Sequence, residues 1–147
     1  MIDFETIEEL ADRLRDARVA RGQPPLPPAT PLELERLYER FQRIHGRPVE
    51  PAYLRLMAMT NGVAHNGLVI WPCRPYGDFL DDLVTANNKL RPVISYRYLF
   101  YGQRGDTIFA HEMLGQHLAL NLLTMAVEDE YADGESMLAD MLRFAMA

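Results

Sequence analysis

The first thirty residues combine a helical apolar pattern with a proline-rich tract. Thr6–Glu9 has the form of a capping box, and apolar residues at Ile7, Leu10, Leu14 and Val19 follow at roughly helical spacing. We therefore predict an N-terminal helix within residues 1–22. Residues 23–30 contain four prolines, and because proline lacks a backbone donor they predict an extended connector or, alternatively, a ligand for an SH3-like groove. We expect Met1–Thr30 to be peripheral to the fold.

Two further helices are predicted before residue 63. The first begins at Thr30–Glu33, which supplies an N-cap, an N1 proline and an N3 acid, and it ends at Gly46. The second opens at Pro51 and stops at Asn61-Gly62, because both of these residues tolerate positive φ. The helix after Thr30 has an expected buried stripe of Leu34, Leu37, Tyr38, Phe41 and Ile44.

A strand and a fourth helix are predicted next. A second Asn-Gly pair, Asn66-Gly67, precedes a short β-prone run at Leu68–Trp71, which Pro72 ends. The spacing of apolar residues then predicts a helix over Asp78–Leu90. Its expected inward residues are Phe79, Leu80 and Leu83.

The remaining segments complete an α+β pattern. Tyr96–Tyr101 and Thr107–His111 flank a five-residue glycine-containing loop and predict a hairpin. Another strand is expected within residues 117–127, and Asp133 caps a terminal helix. We predict one α+β domain over residues 31–147, with a mostly antiparallel sheet covered by helices on one face. Its expected core includes Leu37, Phe41, Leu54, Leu56, Ile70, Leu83, Leu138 and Leu142.

Charge is distributed unevenly along the chain. The formal net charge is −6, yet Met1–Arg104 carries 14 basic and 13 acidic residues, whereas residues 105–147 carry one basic and eight acidic residues. Such an acidic block repels nucleic acid and attracts basic partners. It is either a solvated surface that complements the terminal helix dipole or a recognition surface. The candidate partner-binding residues are Glu112, Glu128, Asp129, Glu130 and Asp133.

No motif in the chain predicts a cofactor, a metal or catalysis. His111 and His117 are six residues apart with Gly115 between them, and they therefore lack the i,i+4 spacing of two helical metal ligands. Cys73 has no histidine adjacent in sequence to activate it as a nucleophile. We therefore predict that the protein is not an enzyme and binds neither metal nor cofactor.

The chain carries no pattern typical of secretion or membrane insertion. Met1–Glu5 has neither a basic nor an apolar leader region, and the apolar run Leu118–Val127 is too short to span a bilayer. Cys73 is the single cysteine, so no internal disulfide is possible. These features predict a soluble cytoplasmic protein that contacts no membrane and is a monomer or weak dimer.

An ordered set of short segments resembles the SUKH superfamily (SMI/KNR-like proteins) over residues 32–144. The segments are Leu37-x3-Phe41, Pro51-x-Tyr53-x2-Leu56, Asn61-Gly62, Gly67–Pro72, Asp82-Leu83-x3-Asn87, Leu99–Gly102 with Asp106, and Ser136-x-Leu138. Bacterial members of that superfamily are mostly immunity proteins, so the resemblance implies a cofactor-free protein that neutralises a cognate toxin. An alternative is a small-molecule-binding or enzymatic domain with a pocket near Trp71, Asn87 and His111.

Overall fold

A six-stranded antiparallel sheet with strands in sequential order forms the centre of the computed structural model, which describes residues 5–146. The fold is α+β, as the sequence predicts. Each strand pairs with the next one along the chain. The described elements are α1 (Ile7–Ala20), α2 (Pro31–His45), α3 (Pro51–Met57), β1 (Val63–His65), β2 (Leu68–Ile70), α4 (Leu83–Leu90), β3 (Tyr98–Arg104), β4 (Thr107–Glu112), β5 (His117–Asn121), β6 (Val127–Tyr131) and α5 (Gly134–Met146).

The predicted helix starts at Thr6, Thr30 and Asp133 are confirmed by their hydrogen bonds. The Thr6 side chain accepts from the backbone N–H of Glu9, and Thr30 forms a complete capping box with Glu33. The backbone N–H of Ser136 donates to Asp133 Oδ1 over 2.7 Å. These bonds satisfy amides that have no partner within the helix itself.

The prediction that the first helix is peripheral is wrong. Ile7, Leu10 and Leu14 on α1 are at most 2% exposed and belong to the main core cluster. Helix α1 packs against α5 and α3. The proline-rich segment is hydrogen bonded as well: Pro27 accepts from the Asn61 N–H, and the Ala29 N–H donates to Met57. This segment therefore holds α1 close to the end of α3.

The central segment differs from the prediction in one additional strand and in the start of one helix. The Asn66-Gly67 pair forms the turn of a tight hairpin between β1 and β2, with φ values of 49° and 82°. Strand β1 was not predicted. Helix α4 begins at Leu83, with Asp82 as its N-cap, rather than at Asp78. Leu80 consequently lies outside the helix and is 88% exposed, so its predicted inward position is wrong.

The second half of the sheet also differs from the prediction. Strand β3 extends to Arg104 and β4 starts at Thr107, so the predicted five-residue loop is a two-residue turn at Gly105-Asp106. Residues 117–131 form two strands, β5 and β6, where one was expected.

The two faces of the sheet carry two separate apolar clusters. Leu99, Tyr101 and Phe109 belong to the larger cluster, which also includes residues of all five helices. Phe100, Ile108 and Leu120 belong to a smaller cluster, against which partly buried residues pack. The predicted core residues are buried in the larger cluster, except Leu54, which is half-buried against it. The predicted burial of Tyr38 and Ile44 is wrong, because both side chains are exposed: 39% and 43%. Among the described helices, none has the length and apolar character needed to span a bilayer.

Candidate functional site

Strand β6 carries most of the predicted acidic residues although its composition disfavours a strand. Glu and Asp have low β-propensity, so the chain needs another reason to return beside β5. The Asn121 side chain accepts from the backbone N–H groups of Leu123 and Thr124, at 2.9 and 3.1 Å. Met125 then adopts a φ of 60°. This turn directs residues 127–131 antiparallel to β5.

The acidic residues of β6 lie along the outer edge of the sheet. Strand β6 is the last strand in the sheet order, and Glu128, Asp129 and Glu130 are exposed. Asp133 follows directly, and hydrogen bonds from Ser136 hold the pKa of its carboxyl below the usual range. We refer to Glu128, Asp129, Glu130 and Asp133 as the acidic edge. The structure thus brings together four of the five residues predicted for partner binding.

Glu112 is separated from the acidic edge. It lies at the end of β4, two strands inward from β6. Its Oε1 accepts from Arg97 Nη2 over 2.8 Å, and the Arg97 side chain is 69% exposed. The charge of Glu112 is therefore largely neutralised locally, and we leave it out of the acidic edge.

A shallow open depression of about 440 Å³ lies between β6 and α5. Its lining includes Tyr131, Asp133, Asp140 and Arg143. The Tyr131 hydroxyl donates to Asp140 Oδ2 over 2.7 Å, and burial together with this carboxylate raises the pKa of Tyr131. The depression shares Asp133 with the acidic edge, and its lining combines carboxylates with a phenol and a guanidinium.

A second polar cluster consists of Glu50, His111 and His117. His111 and His117 are opposite each other in the β4–β5 register, and their rings stack with centroids 4.0 Å apart and planes inclined by 6°. Glu50 Oε2 lies 2.9 Å from His117 Nε2. The six-residue spacing of the two histidines excludes a shared helix face, whereas a hairpin brings residues six apart into direct opposition. Glu50 carries no sequence signal that links it to them.

The surrounding fold fixes the position of Glu50. Its backbone N–H donates to the Tyr101 hydroxyl over 2.9 Å. A Cβ on Gly134, the first residue of α5, would lie 2.0 Å from Glu50 Cδ. Only glycine therefore leaves room for the Glu50 carboxylate in this position. Burial and the adjacent His117 lower the pKa of His111, so burial favours its neutral ring.

The alternative prediction places a small-molecule pocket near Trp71 and Asn87, where the Asn87 amide is already occupied by hydrogen bonds. Asn87 is fully buried, and its amide is hydrogen bonded to the backbone of Phe100 and Leu83. Trp71 packs against both apolar clusters. Cys73 is buried, and burial raises the pKa of its thiol to about 12, so it remains protonated at neutral pH.

No protein-family profile matches the chain, and no curated protein matches it in sequence.

Proposed function

We propose that this protein is an immunity protein that binds a cognate toxin and neutralises it by occlusion, with the acidic edge against a basic surface of the toxin. The observation that carries the proposal is the position of the acidic edge. Three consecutive carboxylates lie on an exposed edge strand, and a fourth follows at the start of α5. The ordered resemblance to the SUKH superfamily supports the same class of function.

An edge strand offers two kinds of contact along one edge of the sheet, and its successive side chains point to opposite faces. Within residues 5–146, no strand lies on the outer side of β6, so its outer backbone N–H and C=O groups can pair with an extended segment of a partner. The carboxylates of Glu128, Asp129 and Glu130 add attraction toward Lys and Arg. A basic cleft that binds nucleic acid in a nuclease-type toxin would meet both requirements, since such a cleft must neutralise phosphates.

Charged residues on edge strands also prevent sheets from pairing edge to edge, so the acidic edge has a structural explanation as well. The two explanations differ in their effect on association with a partner. Electrostatic recognition raises the association rate by roughly 10–10³-fold and makes it salt dependent. Protection against self-association has no such effect on a toxin.

The first test asks whether a toxin exists and is neutralised. The candidate is the product of the adjacent upstream reading frame, and the readout is the growth of cells that express it with or without this protein. Rescue of growth together with a stable complex supports the proposal. A complete absence of both, for a toxin domain shown to be active, would contradict it.

The second test measures association across a salt series by stopped flow. Glu128→Lys, Asp129→Lys and Glu130→Lys together should slow association and flatten its salt dependence. A matched control reverses Glu9, Asp12 and Asp16, which are exposed on α1 and change the net charge equally. Equal slowing by both triple variants would point to net charge instead of the acidic edge. Unchanged rates in the β6 variant would place recognition elsewhere.

A further inference from the structure

Three side chains with metal-binding atoms converge from distant parts of the chain. Glu50 precedes α3, His111 lies near the end of β4, and His117 begins β5. One ligand atom from each lies within 4.8 Å of the other two. We propose that these three residues form a binding site for a divalent transition-metal ion, with Zn²⁺ as the preferred occupant.

The donor set selects the class of metal. Two imidazole nitrogens and one carboxylate oxygen are a common protein ligand set for Zn²⁺ and its neighbours in the first transition row. Mg²⁺ and Ca²⁺ prefer sites made entirely of oxygen ligands. Three protein ligands leave a coordination position open for water or for a group from another molecule.

Coordination of an ion requires a small change in one distance and the rotation of one ring. Metal–ligand bonds near 2.0–2.1 Å in a tetrahedron place ligand atoms roughly 3.4 Å apart. The His117–Glu50 distance of 2.9 Å is slightly shorter than this and opens as the ion replaces the hydrogen bond. A metal lies in the plane of each imidazole that binds it, so one ring must rotate out of the parallel stack formed by His111 and His117. Loss of this stack is therefore part of the proposal.

Surrounding groups keep the ligands in place. The Tyr101 hydroxyl accepts from the Glu50 backbone, and the missing Cβ of Gly134 leaves room for the Glu50 carboxylate. The side chains of His117 and Glu50 are only 12% and 16% exposed, which limits competition from water. Asp133 lies near enough to interact electrostatically with His117, and its negative charge favours a cation there. Arg47 acts on His111 in the opposite sense.

The test is calorimetric titration of Zn²⁺ into the chelator-treated full chain at neutral pH. We expect one ion per chain, with a Kd below about 10 μM. Replacement of a ligand by Glu50→Gln, His111→Gln or His117→Gln should weaken binding at least about tenfold, as the loss of a ligand interaction commonly does. Glu112→Gln, next to His111 but outside the cluster, is the matched control and should bind as tightly as the original chain.

Two further measurements keep the proposal testable if a ligand variant does not fold. Circular dichroism in the presence of chelator reports folding before metal is added. In the unmodified chain, Zn²⁺ should shift the imidazole nitrogen resonances of His111 and His117 and leave those of His45 and His65 unchanged. Three results would overturn the assignment. They are a Zn²⁺ stoichiometry well below one ion per chain, a folded His117→Gln variant that binds Zn²⁺ as tightly as the original chain, and resonance shifts confined to the other histidines.

Discussion

The side-chain amide of Asn87 takes the place of a neighbouring strand for Phe100. The Phe100 N–H donates to Asn87 Oδ1 over 2.7 Å, and Asn87 Nδ2 donates to the Phe100 carbonyl over 2.8 Å. Strand β2 pairs with β3 only from Arg104 to Gly102. The amide therefore continues the ladder beyond the end of β2 and anchors α4 to the sheet.

Replacement of Asn87 should destabilise the protein strongly. Asn87→Leu has a similar volume but leaves the buried N–H and C=O of Phe100 without partners. At about 1–3 kcal/mol for each of the two unpaired groups, the free energy of unfolding should fall by roughly 2–6 kcal/mol. Urea denaturation measures the loss, and Asn88→Leu, at the adjacent exposed position, is the control. Equal midpoints for the two variants would refute the anchoring role of Asn87.

Helix α1 should contribute to stability as a core element. Leu10 is fully buried in the main cluster, so Leu10→Ala is expected to cost about 2–5 kcal/mol. Val19 on the same helix is 56% exposed, and Val19→Ala should change stability by no more than about 0.5 kcal/mol. Thermal melts followed by circular dichroism compare the two. If the Leu10→Ala protein is as stable as the Val19→Ala protein, α1 does not contribute to stability as a core element.

Two glycines should respond differently to the same substitution. A Cβ on Gly102 would lie 2.4 Å from Met141 Cε and 2.6 Å from the Val69 carbonyl oxygen, which belongs to the backbone of β2. Gly102→Ala should therefore cost about 1–3 kcal/mol through overpacking.

At Gly134 the three nearest atoms all belong to the flexible Glu50 side chain. Gly134→Ala should therefore leave stability within about 1 kcal/mol, because alanine favours the helix while Glu50 moves away. Chemical denaturation compares the stability of the two glycine variants. The His117 imidazole resonances show whether Glu50 has moved in the Gly134→Ala protein. A larger loss at Gly134 than at Gly102 would contradict it.

Stability should fall as pH decreases from 7.5 to 5.5 because of buried histidines. Burial first, and then the charge of Arg91, lowers the pKa of His45, and Arg91 Nη1 lies 3.0 Å from its Nδ1. Arginine only donates, so this nitrogen must accept and the ring is neutral. Because the pKa of His45 is lower in the folded chain, the unfolded chain binds more protons at mildly acidic pH. The contribution of His45 to the free energy of unfolding is therefore fully present above the unfolded pKa, near 6.5, and decreases below that pH.

The measurement is the free energy of unfolding across this pH interval. His45→Gln retains an acceptor for Arg91 but cannot be protonated, so its stability should depend less steeply on pH. His65, whose pKa is also lowered by burial, offers a second site for the same substitution. An identical slope in the original chain and in the double variant would show that these histidines do not control acid sensitivity.

The sequence predicted those features that depend on local chemistry. Thr6, Thr30 and Asp133 cap helices through residues three positions away, so their signal lies within one turn. Strand β6 was missed because Glu128–Glu130 disfavours a strand and forms one only through pairing with β5. The Asn66-Gly67 pair marks the start of the predicted strand at Leu68, yet the three-residue strand before the pair is too short for a periodic signal.

The candidate metal site depends on long-range geometry that composition does not encode. The pairing of His111 with His117 follows from the register of one hairpin, whereas the six-residue spacing on its own argues against a shared metal. The position of Glu50 depends on Tyr101 and Gly134, which are distant in sequence and carry no ligand signal. The acidic edge was easier to predict, since its four residues lie within six positions of one another.

The contact between α1 and α5 has a consequence during synthesis. Ile7 and Leu10 leave the ribosome early, but α5, against which α1 packs, is made last among the described elements. At a synthesis rate of about 5–20 residues per second, roughly 6–25 s pass between the synthesis of α1 and that of α5. During this interval the nascent chain presents an amphipathic helix without the part of its docking surface that α5 supplies, and a chaperone that recognises such faces would have access to α1.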